Sequence, residues 1–341
     1  VLGQEVVPNS GCGSWLLEPQ STNLIPYSED FSNASWQKVA SSTVTTNTVI
    51  SPDGTLNADT YKASSSSYGC ILRAITTFDF VSPYTVSFYV KKNNYRYVGL
   101  RLGNLIGASD SYNFFDFDTE TVNNTPAPSA ELSFEKLTNG WYKLSLTGTP
   151  TSSTLADLAL TQSNGSTINP IGTEEVYVYG AQLEQNSFST SYIPTQGASS
   201  TRLQDIATNS GNASLINSEE GTLYAEVYFN PQDNRSIIIK SNTGDKVVIY
   251  SRPNNGVRFL ISDSGGLKYN DYSNSLINGF NKIALFWDIN GFYGFVNGVK
   301  IHNISTVINL QGLNQVSFEN GNDDFYGKNK ALAVYKTALT D

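Results

Sequence analysis

Three carboxylates alternate in the segment FFDFDTE: Asp116, Asp118 and Glu120. On a strand, residues i and i+2 share a face with their side chains about 7 Å apart. Glycoside hydrolysis needs two carboxyl groups roughly 5 to 9 Å apart across a cleft, so spacing permits acid–base chemistry here. The plainer reading is stronger: Phe115 and Phe117 face a core, and the acids form the wet side of a strand end. Other catalytic devices lack parts. His302 is the one histidine, in VKIHNIS, on an expected strand just after a turn. Any Ser-His-Asp or Cys-His arrangement would have to run through it. Zinc clusters of His and Cys fail by count, and GKNK at residues 327–330 lacks the rest of a phosphate-binding loop. The expectation is a chain without catalysis.

The chain is instead well supplied with rings, 20 Tyr and 17 Phe, set among Ser, Thr, Asn and Gly. Aromatic faces stack on the C–H surfaces of sugars, while Asn, Asp, Gln or Arg bond the hydroxyls. In the first half the candidates are Tyr68 on a loop, with Tyr95, Arg96, Tyr97, Arg101 and Tyr112 on one sheet face or its rim. In the second half they are Arg258, Tyr269, Tyr272 and Trp287, beside Asn270 and Asp271. Trp36 and Trp141 read as core. Asp323 and Asp324 in ENGNDDFYG form an oxygen-rich loop of the kind that holds Ca²⁺ or simply turns in solvent.

The elements that must position these residues are strands. YTVSFYVKK (84–92), RYVGLRLG (96–103), GWYKLSLTGT (140–149) and EEVYVYGAQLE (174–184) alternate with period two, separated by turn residues. A polar stretch follows, Ser, Thr, Gly and Gln over residues 187–201, and reads as a connector. Beyond it GTLYAEVYF (221–229), RSIIIKS, DKVVIYS and GVRFLISD resume the pattern. FNKIALFWDINGFYGFVNGVKI (280–301) carries two Asn-Gly turns, at 290–291 and 297–298. The predicted fold is all-β: two antiparallel β-sandwiches, jelly rolls, in tandem. The boundaries are a leader at 1–20, a first domain at 21–195, a linker at 196–211 and a second domain at 212–341.

Composition limits the partners. Lys and Arg number 21 against 30 Asp and Glu, a net charge of −9 with no basic run, which argues against nucleic acid and anionic lipid. Neutral glycans are compatible with that balance. No stretch of about 18 apolar residues is present, so no membrane helix is expected. Cys12 and Cys70 are the two cysteines, and spacing alone does not decide whether they pair. The chain opens at Val1 and holds no Met, so it is expected to be a processed product or a piece of a longer one.

Two stretches carry a resemblance. YGAQLEQ…STSYIPT…STR, with LLEPQSTNL before the first domain, resembles the framing signature of a jelly-roll module of bacteriophage tail and head fibres, itself similar to carbohydrate-binding jelly rolls. The VNGV turn and the closing ALAVYKTALTD resemble the laminin-G or concanavalin-A-like sandwich, in which the closing pattern normally runs further; the C-terminus is therefore expected to be truncated or disordered. The resemblance implies a virion or extracellular adhesin that binds glycan or polysaccharide on a host cell surface. Other virion subunits would be its neighbours, and a homo-oligomer, a trimer, its assembly. The alternatives are a purely structural virion decoration and a carboxylate-based depolymerase. The resemblance also implies a structural Ca²⁺ near the first and last strands. Glu29 and Asp30 would supply acidic ligands there, although Tyr179-Gly180-Ala181 stands where the family places Asp.

Overall fold

Alternation decides the architecture. In Tyr84–Lys92 the residues Val86, Phe88 and Val90 are fully buried. They meet Leu144 and Leu146 of Trp141–Gly148 on one side and Val176 and Val178 of Glu175–Glu184 on the other. The computed structural model describes residues 3–6, 13–39, 41–64, 70–75, 77–105, 112–161, 172–208, 210–229, 234–269 and 272–339. Among them every strand pair is antiparallel, and the only helical pieces are two single 3₁₀ turns. The protein is all-β, built of β-sandwiches. Among the described residues no helix is long and apolar enough to cross a membrane.

Two compact units divide the chain. One is Gln20–Leu203; the other joins Val1–Pro19 to Gln204–Asp341. In Gln20–Leu203 one six-stranded sheet runs Thr121–Asn123, Asn113–Asp116, Tyr97–Leu105, Pro150–Thr161, Cys70–Ile75, Trp36–Val39. The other runs Ala130–Lys136, Trp141–Gly148, Tyr84–Lys92, Glu175–Glu184, Leu56–Lys62, Thr43–Ile50. Their core includes Phe31, Trp36, Phe88 and Phe115. Trp141 is also buried, in a smaller cluster with Ala58 and Tyr179.

In the second unit a seven-stranded sheet runs Gly3–Val6, Gly13–Leu17, Gly327–Tyr335, Gly221–Phe229, Asn281–Asp288, Gly291–Val296, Val299–Ser305. A second sheet contains Gly266–Tyr269, Gly256–Asp263, Lys246–Arg252, Arg235–Ser241 and Leu313–Ser317. Leu223, Leu285 and Phe292 of the first pack with Ile239, Ile249 and Phe259 of the second. Gly294 is needed where it stands, because a Cβ would lie 2.0 Å from the Phe259 ring. The turn at Asn297-Gly298 has both residues at positive φ, 53° and 83°, as an Asn-Gly hairpin requires. Of Asn290 and Gly291, only the glycine has positive φ.

Two stretches differ from the sequence reading. The leader contributes structure: Gly13–Leu17 pairs with Gly327–Tyr335, and Leu17 is core. At the end of this segment the Glu18 N–H donates to the Asp205 carboxylate at 2.9 Å, and the Asp205 N–H donates to the Glu18 carbonyl at 2.9 Å. The polar stretch 187–201 is no free connector either. Glu184 holds the Thr190 amide and hydroxyl, the Gln182 side-chain oxygen Oε1 accepts from the Ile193 N–H, and Thr195 exchanges bonds with Ser28. Ser200–Arg202 pairs with Ser21–Asn23. Composition misled because polar residues here satisfy buried backbone groups instead of facing water. The possible Cys12–Cys70 pair lies outside the described residues at Cys12.

Asp59 is buried on Leu56–Lys62, with Oδ1 accepting the Asn47 N–H at 3.0 Å and Oδ2 without a hydrogen bond. Burial first, and then the Asp30 charge, push its carboxyl up to about 6 against hydrogen bonds from Asn47 and Phe31. The folded state therefore holds this proton more tightly than the unfolded chain. The stability it confers is full below about pH 4 and is lost as pH rises through 6, by about 3 kcal/mol. Asp59→Asn should raise the melting temperature at pH 7.5 and leave it unchanged at pH 4, read by calorimetry. Leu17→Ala should lower the urea midpoint, at a cost of about 2–5 kcal/mol; an unchanged midpoint would mean that this strand is not part of the sandwich.

Candidate functional site

In Gln20–Leu203 the predicted residues are brought together, but they are engaged with one another. Asp116 ends its strand, and residues 117–120 turn, with Glu120 at φ 53°. The three acids therefore do not share a strand face. Asp116 takes a forked pair of bonds from Arg96 at 2.8 and 2.7 Å. Asp118 pairs with Lys92, and Glu120 accepts from Lys136 and Tyr142. The Arg96 fork holds Asp116 well below the usual carboxylate range, and Lys136 then Tyr142 lower Glu120. Phe115 and Phe117 do sit in the core.

Arg96 also covers the Tyr97 ring, at 4.9 Å from its centroid, beside half-buried Tyr95. Arg101 and Tyr112, expected at an accessible face, are 4% and 5% exposed. The cause is a charge cluster: Arg101 pairs with fully buried Asp157 at 2.7 Å, and the Tyr112 hydroxyl donates to the same carboxylate at 2.9 Å. Tyr68 lies outside the described residues.

The calcium ligands do not assemble. The Asp30 carboxylate caps its own turn, accepting from Ser32 and the Asn33 N–H. Glu29 faces two phenols instead, Tyr192 at 3.1 Å and Tyr179 at 3.2 Å, and the Tyr179 hydroxyl also reaches Asp53 at 2.9 Å. The space between Glu29 and Asp53 is thus filled by a hydroxyl. Burial works against the Asp53 charge, but Ser51, Thr55 and Tyr179 outweigh it and keep that carboxyl low. At the second loop, Asp324 accepts the Asn320 N–H and the Asp323 carbonyl accepts from Ser236. Among the described residues no group of three His, Cys, Asp or Glu is placed to hold a metal. These residues do not fit a calcium ion.

In the other unit Trp287, predicted as a contact residue, is wholly buried. It lies so close over Gly221 that a Cβ there would be 2.2 Å from the ring. Arg258 stands 5.0 Å from the centroid of half-exposed Tyr269, and exposed Tyr272 lies near Gly256 of the same strand as Arg258. Asn270 and Asp271 lie outside the described residues. His302 is half-buried on Val299–Ser305.

The sequence reading missed the best site, the outward face of the seven-stranded sheet. Registers place Tyr335, Thr222, Phe286 and Tyr293 in one row across four strands, and Ala333, Tyr224, Ala284 and Phe295 in the next. Rings and small residues alternate across the first three strands of these rows. A hollow of about 160 Å³ opens there, lined by Thr222, Tyr224, Ala284, Phe286, Tyr335 and Leu339. Phe286 is braced by Tyr293, stacked in parallel at 4.8 Å, and Lys300 lies 4.3 Å from the Tyr293 centroid. Burial, the Glu226 carboxylate and the Tyr335 phenol raise the Tyr224 hydroxyl above its ordinary value, so it stays a neutral donor. The missed signal was in GTLYAEVYF: Tyr224 and Tyr228 alternate with core Leu223, Ala225 and Val227, where a wet face should be polar.

No protein-family model matches the chain, and no curated protein does. Among solved structures, the mouse laminin alpha1 chain, domains LG4-5, is similar, with a TM-score of 0.28 and 11% identity over 89% of this chain and 90% of that one. So loose a superposition carries no weight on ligand or role.

Tyr179→Phe removes the hydroxyl between Glu29 and Asp53 and should cost about 1–3 kcal/mol in urea unfolding. Adding calcium or a chelator should leave the wild-type midpoint in place; a calcium-dependent rise would overturn this reading of the cluster.

Proposed function

We propose that the chain is a non-catalytic binding protein whose outward ring array on the seven-stranded sheet accepts a neutral saccharide. The observation that carries the reading is the hollow lined by Thr222, Tyr224, Ala284, Phe286, Tyr335 and Leu339. Tyr335 and Phe286 stand on strands either side of Gly221–Phe229, about 10 Å apart. Residues 337–339 cover Thr222 between them, so the open part of the hollow lies over Tyr224 and Ala284, beside the exposed Tyr335 ring. The Tyr224 and Tyr335 hydroxyls and the Glu226–Lys330 ion pair on the same strands supply polar partners. The net charge of −9 favours an uncharged ligand over a polyanion.

The absence of catalysis is part of the same proposal. A glycosidase acid must hold a proton near neutral pH, and the pairing of Asp116 and Glu120 with Arg96 and Lys136 favours their charged forms. The resemblance to phage-fibre modules supports a further step: host-surface glycan as partner, a virion or extracellular setting, and repetition in an oligomer that sums weak single contacts.

Native gels cast with dextran, galactomannan, xyloglucan or starch test this directly. Wild-type protein should be retarded by at least one of them. Tyr335→Ala should weaken that retardation about tenfold, the effect of losing one stacked ring. Free migration in every gel, or retardation indifferent to Tyr335, would sink the proposal.

A further inference from the structure

Resting on the saccharide reading of this hollow, we infer that it receives the end of a glycan chain and not an internal unit. The reason is residues 336–339, which follow the Gly327–Tyr335 strand. They turn across the outward face of the sheet and are tied down at each step. The Asn217 side chain donates to the Lys336 carbonyl at 3.0 Å. The Thr222 hydroxyl donates to the Thr337 carbonyl at 2.9 Å and accepts the Leu339 N–H at 3.1 Å. The Ala338 N–H donates to Glu220 at 3.2 Å, and the Tyr293 hydroxyl donates to the Leu339 carbonyl at 2.8 Å.

The strap thus runs from the edge of Tyr335 over Thr222 toward Tyr293, and sets the Leu339 side chain into the lining of the hollow. Thr222, the floor residue beneath it, is 1% exposed, and Phe286 8%. The Thr222 end of the hollow is closed. Along the strand toward Glu226 the next outward row is charged, Glu226 opposite Lys282, and Lys282 is exposed. A sugar inside a chain carries a glycosidic bond on each side and needs two exits. A hollow with one end stopped passes one bond. Its volume is about 160 Å³, bounded by only six residues.

The two requirements separate in one experiment. The full chain is applied to an array of neutral oligosaccharides in which each sugar type occurs both at a terminus and as an internal unit. Wild-type hits should share a terminal unit. Leu339→Gly, which removes the stopper while leaving the strap's backbone bonds available, should add glycans that carry the same unit internally. Wild-type hits united by an internal unit, with varied ends, would overturn the inference and leave the saccharide reading intact. So would an unchanged hit list in Leu339→Gly. A blank array, or hits unaltered by Tyr335→Ala, would overturn the saccharide reading itself.

Discussion

A strand has only two faces, and in Gly221–Phe229 one is apolar and the other largely aromatic, broken by Glu226. The inward one is spent: Leu223, Ala225 and Val227 are fully buried against the facing sheet. The outward one presents Tyr224 and Tyr228, with Phe286, Tyr293 and Phe295 beside them on the next two strands. Once the core is complete, these rings have no second sheet of their own to bury against, and they pack on each other. Ring pairs at offset or tilted geometry are stabilising beyond their buried area, which holds Phe286 against Tyr293 and fixes the wall of the hollow. The small residues Thr222 and Ala284 leave the space between the walls.

Charge is used differently in the two units. In Gln20–Leu203 the acids with catalytic spacing in the sequence are clamped by Arg96, Lys92 and Lys136. Buried Asp157 consumes two further candidates for ligand contact, Arg101 by an ion pair and Tyr112 by a hydrogen bond. A buried ion pair of this kind costs desolvation of both partners, and removing either member leaves a buried unpaired charge. In the other unit the ring array is flanked by few charges, and the nearest pair, Glu226–Lys330, stands at its border. An apolar hollow with a polar border suits a ligand whose faces are C–H and whose edges are hydroxyl.

The all-β class and most strands were legible because period-two alternation reports burial on one side, as in Tyr84–Lys92 and Asn281–Asp288. The site was less legible, for a physical reason in each case. Trp287 looks like a contact residue in a strand next to a turn, but the missing side chain at Gly221 is what makes room for it inside. Arg101 and Tyr112 have the right chemistry, and only the position of Asp157, more than forty residues on, reveals that they are consumed. The outward array depends on register among four strands drawn from three separate stretches of the sequence. Alternation within one strand names Tyr224 as outward without naming its neighbours.

In sequence Gln20–Leu203 is inserted into the other unit, between its first two strands and the remainder. Gly13–Leu17 precedes the insert in the chain, and its partner Gly327–Tyr335 follows it. Joining distant ends costs entropy that grows with the length of free chain between them. The paired bonds between Glu18 and Asp205 shorten that path, because a folded insert delivers its two ends to the same place. The sandwich bearing the ring array therefore needs chain from both sides of the insert, and Gly13–Leu17 has no partner until residues 327–335 have been made.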